Sequence, residues 1–124
     1  MKLRPLGHRA IVRRHETEKT AGSLGIILTP EDRIEKNIRC TVVAVGSGYW
    51  KDGRRVPMDC VPGDVVVVRQ WSGDAVEVYD DQGRAVFRDS NLLCVWEDVI
   101  EVVDKNVQPD PKALGYIKEF SESA

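Results

Sequence analysis

Ser23, two histidines and three cysteines are where covalent or metal chemistry would have to start in this 124-residue chain. Ser23 lies in Ala21-Gly22-Ser23-Leu24-Gly25, a relaxed A-x-S-x-G form of the elbow that presents a nucleophilic serine. That device needs a strand before the serine, a helix after it and a histidine later in the chain. Here the preceding run His15 to Thr20 is polar, and both histidines, His8 and His15, come earlier. Serine hydrolysis is therefore set aside. Val45-Gly46-Ser47-Gly48 follows a strand-like run as a dinucleotide loop would, but Lys51 stands where the third glycine belongs and no helical pattern follows, so it reads as a turn. Cys40, Cys60 and Cys94 are odd in number, widely spaced and without a C-x-x-C pair, which argues against a disulfide framework or a cysteine-built zinc site. They read as buried or interfacial thiols in a reducing cytosol. Asp80-Asp81 reads as a solvated turn. No catalytic residue, metal site or cofactor is expected, and the chain is not read as an enzyme.

One basic-aromatic cluster remains: Tyr49, Trp50, Lys51, Arg54 and Arg55, around a turn at Asp52-Gly53. Small barrels stack bases on exposed aromatics and track the phosphate backbone with Lys and Arg. Against this, the whole chain carries a net charge of -2 with a pI near 5.7. Nucleic-acid binding by a small β-barrel stands as the alternative function.

The most unusual stretch has no chemistry of its own. Ala21 to Thr29 holds Leu24, Ile26, Ile27 and Leu28 between two polar runs, H-E-T-E-K-T before it and P-E-D-R-I-E-K-N-I-R after it. One reading is a partner-binding loop that orders on docking, since long connections in small domains are uncommon and tend to be functional. The other is one more core strand, which a short apolar run resembles equally well. Thr29 to Arg39 also admits a short helix: Thr29 as cap, Pro30 in the first turn, Ile34 and Ile38 on one face. Alone it would be marginal in water, and it is read as a loop arm.

The remaining chain is strand after strand. Ala10 to Val12 and Cys40 to Val45 are β-branched or apolar runs. Tyr49 to Val56 forms a hairpin. Pro62-Gly63-Asp64 turns into Val65 to Val68, whose four valines imply a strand covered on both faces. Ala75 to Tyr79 alternates, Asp80 to Gly83 turns, and Arg84 to Arg88, Leu92 to Trp96 and Val99 to Val103 follow as strands. Short strands at short intervals, with no helical stretches between them, predict an all-β fold, a small barrel or sandwich. From Asp104 a proline-containing linker leads to Asp110 and Pro111, which can cap and start a short helix with Leu114, Ile117 and Phe120 on one side.

Length implies one domain, and a composition of 42% hydrophobic and 31% charged residues is that of a globular chain. No apolar run is long enough to span a bilayer and no charged-then-apolar leader opens the chain, so a cytoplasmic protein without a membrane partner is expected.

The order of these pieces resembles the small co-chaperonins of the GroES type. The resemblance is carried by Arg4-Pro5-Leu6 with Arg9, Ile11-Val12, Ala21-Gly22, Gly25-Ile26-Ile27-Leu28-Thr29, Val43-Ala44-Val45-Gly46-Ser47-Gly48, Val61-Pro62-Gly63-Asp64-Val65-Val66 and Asp89-Ser90-Asn91-Leu92-Leu93-Cys94-Val95. It implies a small irregular β-barrel over residues 1–103, assembled as a heptamer in which first and last strands join neighbours. It also implies a mobile loop at about 16–39 and a roof hairpin at about 46–57 comprising Tyr49, Trp50, Lys51, Asp52, Gly53 and Arg54. Trp71 would face the folding chamber. Leu24, Gly25, Ile26, Ile27 and Leu28 would bind the ATP-bound ring of a GroEL-type chaperonin, enclosing unfolded client proteins. Ser23-Leu24 in place of one glycine, Cys40 in place of a glycine, the basic-aromatic hairpin and the residues from Asp98 to Ala124 beyond the family's usual end, with their 104–124 linker and short helix, depart from that pattern. Such divergence would suit a virus-encoded copy as well as a cellular one.

Overall fold

Strand β1 (Arg9–Arg14) is buried along Ala10, Ile11, Val12 and Arg13, so both of its faces must be covered. That requirement organises the fold, seen in a computed structural model that describes residues 2–15, 37–69 and 72–121. On one side β1 pairs antiparallel with β2 (Ile38–Val45), from Ala10 opposite Val45 to Arg14 opposite Cys40. On the other it pairs with β7 (Ala85–Trp96), from Arg9 opposite Trp96 to Arg13 opposite Leu92. β2 continues to β5 (Val65–Val68), and β5 to β8 (Ile100–Val103), while β6 (Asp74–Tyr79) lies against the outer side of β7. The order β6-β7-β1-β2-β5-β8 makes a small irregular all-β barrel whose end strands, β6 and β8, share no ladder. Among the described residues, β1 is flanked on both sides by its own chain, while β8 pairs on one side only.

Successive side chains of a strand point to opposite faces, and this divides the core in two. Ala10, Val12, Cys40, Val42, Val66, Val68 and Val95 fill the barrel interior together with Met58 and Cys60. Ile11, Val43 and Leu92 point the other way, where helix α1 (Pro111–Ser121) covers them with Ala113 and Phe120. The expected helix face is shifted by one residue: Leu114 is 45% exposed, and Ala113 and Tyr116 join Ile117 and Phe120 against the sheet. Ala113, Tyr116, Ile117 and Phe120 are spaced i, i+3, i+4 and i+7, the stripe that one face of a helix presents.

Two further expectations change. The runs Arg84 to Arg88 and Leu92 to Trp96 are one strand, because Asp89-Ser90-Asn91 contains neither Gly nor Pro and is absorbed as an irregularity: Ala75 faces Leu93 while Val76 faces Asp89. The last strand begins at Ile100 after a 3₁₀ turn, Glu97–Val99.

The turn chemistry holds. Asp52 and Gly53 have φ of 52° and 79°, which is the pair of positive values a two-residue hairpin needs between β3 (Tyr49–Lys51) and β4 (Arg54–Val56). Among the described residues, no helix is long and apolar enough to cross a membrane.

Candidate functional site

The end of the β1–β2 ladder is where the long polar-apolar-polar segment leaves the barrel. The His15 amide donates to the Arg39 carbonyl at 2.9 Å, just beyond the Arg14–Cys40 pair, so the two chain ends lie side by side. Leu24, Gly25, Ile26, Ile27 and Leu28 lie outside the described residues, as do Ser23 and Trp71. The helix considered for Thr29 to Arg39 does not reach its end: Ile38 and Arg39 pair with Val68 and Val67 as the start of β2, so the segment read as loop is shorter by those two residues. Ile38 is drawn into the ladder because it packs on the barrel interior.

This end of the ladder holds a group of polar residues that residue types and spacing did not single out. Arg13 is 3% exposed, on the same face as Ile11, and its Nε donates to Asp89 Oδ2 at 3.3 Å. Its other guanidinium nitrogen, Nη1, donates to Asp110 Oδ2. Tyr116 donates its hydroxyl to Asp89 Oδ2 at 2.8 Å, and the Asn91 amide donates to Asp89 Oδ1 at 2.9 Å. Burial would push the Asp89 carboxyl up, but the Asn91 amide, the Tyr116 hydroxyl and Arg13 together hold it below its usual range. The Tyr116 hydroxyl is pushed up to about 12 by burial and by that bond to Asp89.

Thr41, Arg13's cross-strand partner, is fully buried. Its hydroxyl accepts the Asp110 amide at 3.0 Å and lies 2.6 Å from His15 Nε2. Having accepted one proton, the hydroxyl is placed to donate its own to a neutral imidazole. Burial in turn lowers the His15 pKa, with Asp110 opposing and Arg39 and Arg13 assisting. The signal in the sequence was faint: Arg13 and Thr41 share the strand phase of apolar Ile11 and Val43, on the face that the helix covers.

The second candidate region is the hairpin. Trp50 is 66% exposed, with the Arg55 guanidinium 5.1 Å from its ring centroid. Tyr49 points to the opposite face, edge-on to His8, and His8 lies against Trp96, over which Arg9 sits at 4.8 Å. Lys51 faces Arg54 directly across the hairpin, and among the described residues neither makes an ion pair. The hairpin is anchored by close backbone approach: the Gly46 amide donates to Arg9 and the Gly48 amide to Gly7.

The thiols show no activation. Burial pushes Cys40 up to about 12 and Cys60 up to about 11, which keeps both as inert thiols. Among the described residues, no three His, Cys, Asp or Glu side chains converge as a metal site.

Comparison with known proteins gives a consistent answer. Residues 2–96 match the model of a family described as the chaperonin 10 Kd subunit. A co-chaperonin GroES of Acetivibrio thermocellus is 40% identical over 97 residues, covering 78% of this chain and 100% of that protein. A co-chaperonin GroES of Hyphomonas neptunium is 42% identical over 95 residues (75% and 95%). Co-chaperonin GroES 3 of Bradyrhizobium diazoefficiens is 41% identical over 101 residues (80% and 93%).

Proposed function

The chain belongs to the chaperonin 10 Kd family, and from that premise we propose how it performs the family's co-chaperonin role. It caps an ATP-bound, GroEL-type chaperonin ring, and Leu24, Gly25, Ile26, Ile27 and Leu28 are the contacts that dock in the ring. What supports this reading most is the placement of His15 beside Arg39: the segment carrying the four aliphatics starts and ends at one point on a barrel whose core is already filled.

A single apolar tip of this size binds weakly, because ordering its backbone costs about as much as burying its side chains returns. Several copies on one rigid ring convert later contacts into intramolecular events, and avidity holds the cap in place. A heptameric ring is the assembly proposed, with client proteins enclosed beneath it and Trp71 facing them. Weak individual contacts let the cap leave when the partner's grooves change shape, so the partner does all the nucleotide hydrolysis. The cytoplasm is the proposed location.

The test is co-migration with a GroEL-type ring on size exclusion. It is expected with ATP and lost without nucleotide; its absence in both conditions would refute capping.

A second reading rests on the exposed Trp50–Arg55 stack and on Lys51 and Arg54, which face each other across the hairpin and make no ion pair among the described residues. On that reading the hairpin binds single-stranded nucleic acid. Salt-sensitive retention on single-stranded DNA that disappears in Trp50→Ala would favour it over capping.

A further inference from the structure

The C-terminal extension lies beyond the family match, which ends at residue 96, yet its linker is bonded at each end, Asp104 and Asp110, to strands from which residues 16–36 emerge. At its start, Asp104 Oδ2 accepts Arg39 Nε at 3.1 Å, and the Asp104 amide donates to the Val65 carbonyl at 2.7 Å. At the head of α1, Asp110 makes three kinds of contact. Its amide reaches the buried Thr41 hydroxyl, its Oδ2 pairs with buried Arg13, and its Oδ1 caps the helix by accepting the Lys112 amide at 3.1 Å. Helix α1 is then pressed onto the same sheet face by Phe120 and Tyr116, whose rings stack at 5.5 Å.

From these contacts we infer that the extension is an intrachain brace for the open end of the β1–β2 ladder. Asp110, Thr41 and Arg13 are its positioning residues, and the brace sets how firmly the root of residues 16–36 is held. Thr41 is the joint: one hydroxyl links the Asp110 amide to His15, the last described residue before that segment. A helix that merely filled space would need the apolar contacts of Ala113 and Phe120 but no buried charge, since an apolar pair of similar volume is often as stable as a buried ion pair. Holding the root limits the directions in which the segment leaves the barrel, and so lowers the ordering cost of docking. This last step rests on the capping role proposed above.

The experiment compares amide hydrogen exchange of the full-length protein with that of Asp110→Asn, which keeps the helix cap and removes the charge opposite Arg13, and of Thr41→Val, which removes the joint. Exchange at the His15 amide is expected to quicken about fivefold or more in both, the lower end of ordinary inter-site coupling. The ladder between Val78 and Phe87 should change by less than about twofold. Affinity for an ATP-bound chaperonin ring should fall in parallel. Uniform quickening across all strands would make the contacts structural only and overturn the brace, and so would an unchanged His15 amide. Quickened root exchange with unchanged chaperonin affinity would overturn its role in docking. If the unaltered protein binds no chaperonin, the capping role itself fails, while the exchange measurements still decide whether the brace exists.

Discussion

Tyr116 of the C-terminal helix donates its hydroxyl to Asp89 Oδ2, the same oxygen that accepts Arg13 Nε, so one carboxylate joins helix, edge hairpin and central strand. A residue of the C-terminal helix thereby adds a hydrogen bond to the carboxylate that pairs with buried Arg13. Tyr116→Phe keeps the ring in its stack with Phe120 and deletes only this bond. It should cost about 1 kcal/mol in chemical denaturation. Leu114→Ala, on the exposed side of the same helix, should stay within about 0.5 kcal/mol. Equal effects of the two would contradict the helix register.

Acid should weaken the fold through two groups. His15 and Asp89 both have lowered pKa values in the folded protein, so at each the unfolded chain binds the proton more readily. Stability is complete above the ordinary His value of 6.5 and declines below it until the folded His15 pKa is reached. It declines again as pH falls below the ordinary Asp value of 3.8 towards the folded Asp89 pKa. Denaturation midpoints measured from pH 8 to 3 check this, and His15→Gln should flatten the upper decline alone.

The hairpin should depend on one glycine more than on any of its side chains. Gly48 has φ of +94°, and a Cβ there would fall 1.8 Å from the Val56 carbonyl oxygen. Gly48→Ala is expected to cost about 1–3 kcal/mol and to release the Tyr49 and Lys51 amides to exchange. Gly83→Ala shares the positive φ but has open space around it, and should leave the hairpin amides unchanged.

Ile27→Asp should abolish ATP-dependent co-migration with a chaperonin while leaving the particle mass in light scattering unchanged, since a carboxylate entering an apolar groove loses its hydration. A variant that still refolds a stringent client would refute the assignment of Leu24, Gly25, Ile26, Ile27 and Leu28.

How far the residues alone reached differs from element to element. The Asp52-Gly53 and Pro62-Gly63 turns, the buried Val65–Val68 strand and the strands on either side of residues 16–36 were all legible, because turn chemistry and β-branched runs act over a few neighbouring residues. The unbroken β7 was not: whether Asp89-Ser90-Asn91 ends a strand depends on what lies opposite, here Ala75 and Val76. Ala113 rather than Leu114 faces the sheet, although both lie at helical spacing from Ile117, so periodicity alone does not choose between them.

The polar group under the helix marks the boundary between the two kinds of information. Turn positions, the all-β class and the likeness to a co-chaperonin are properties of local patterns and their order, and the sequence alone determined them. That Arg13, Thr41, Asp89, Asp110 and Tyr116 share one site was decided only by the tertiary structure. Their proximity comes from β1 lying between β2 and β7 with α1 folded back across them, and no local preference of any one of these residues encodes that arrangement.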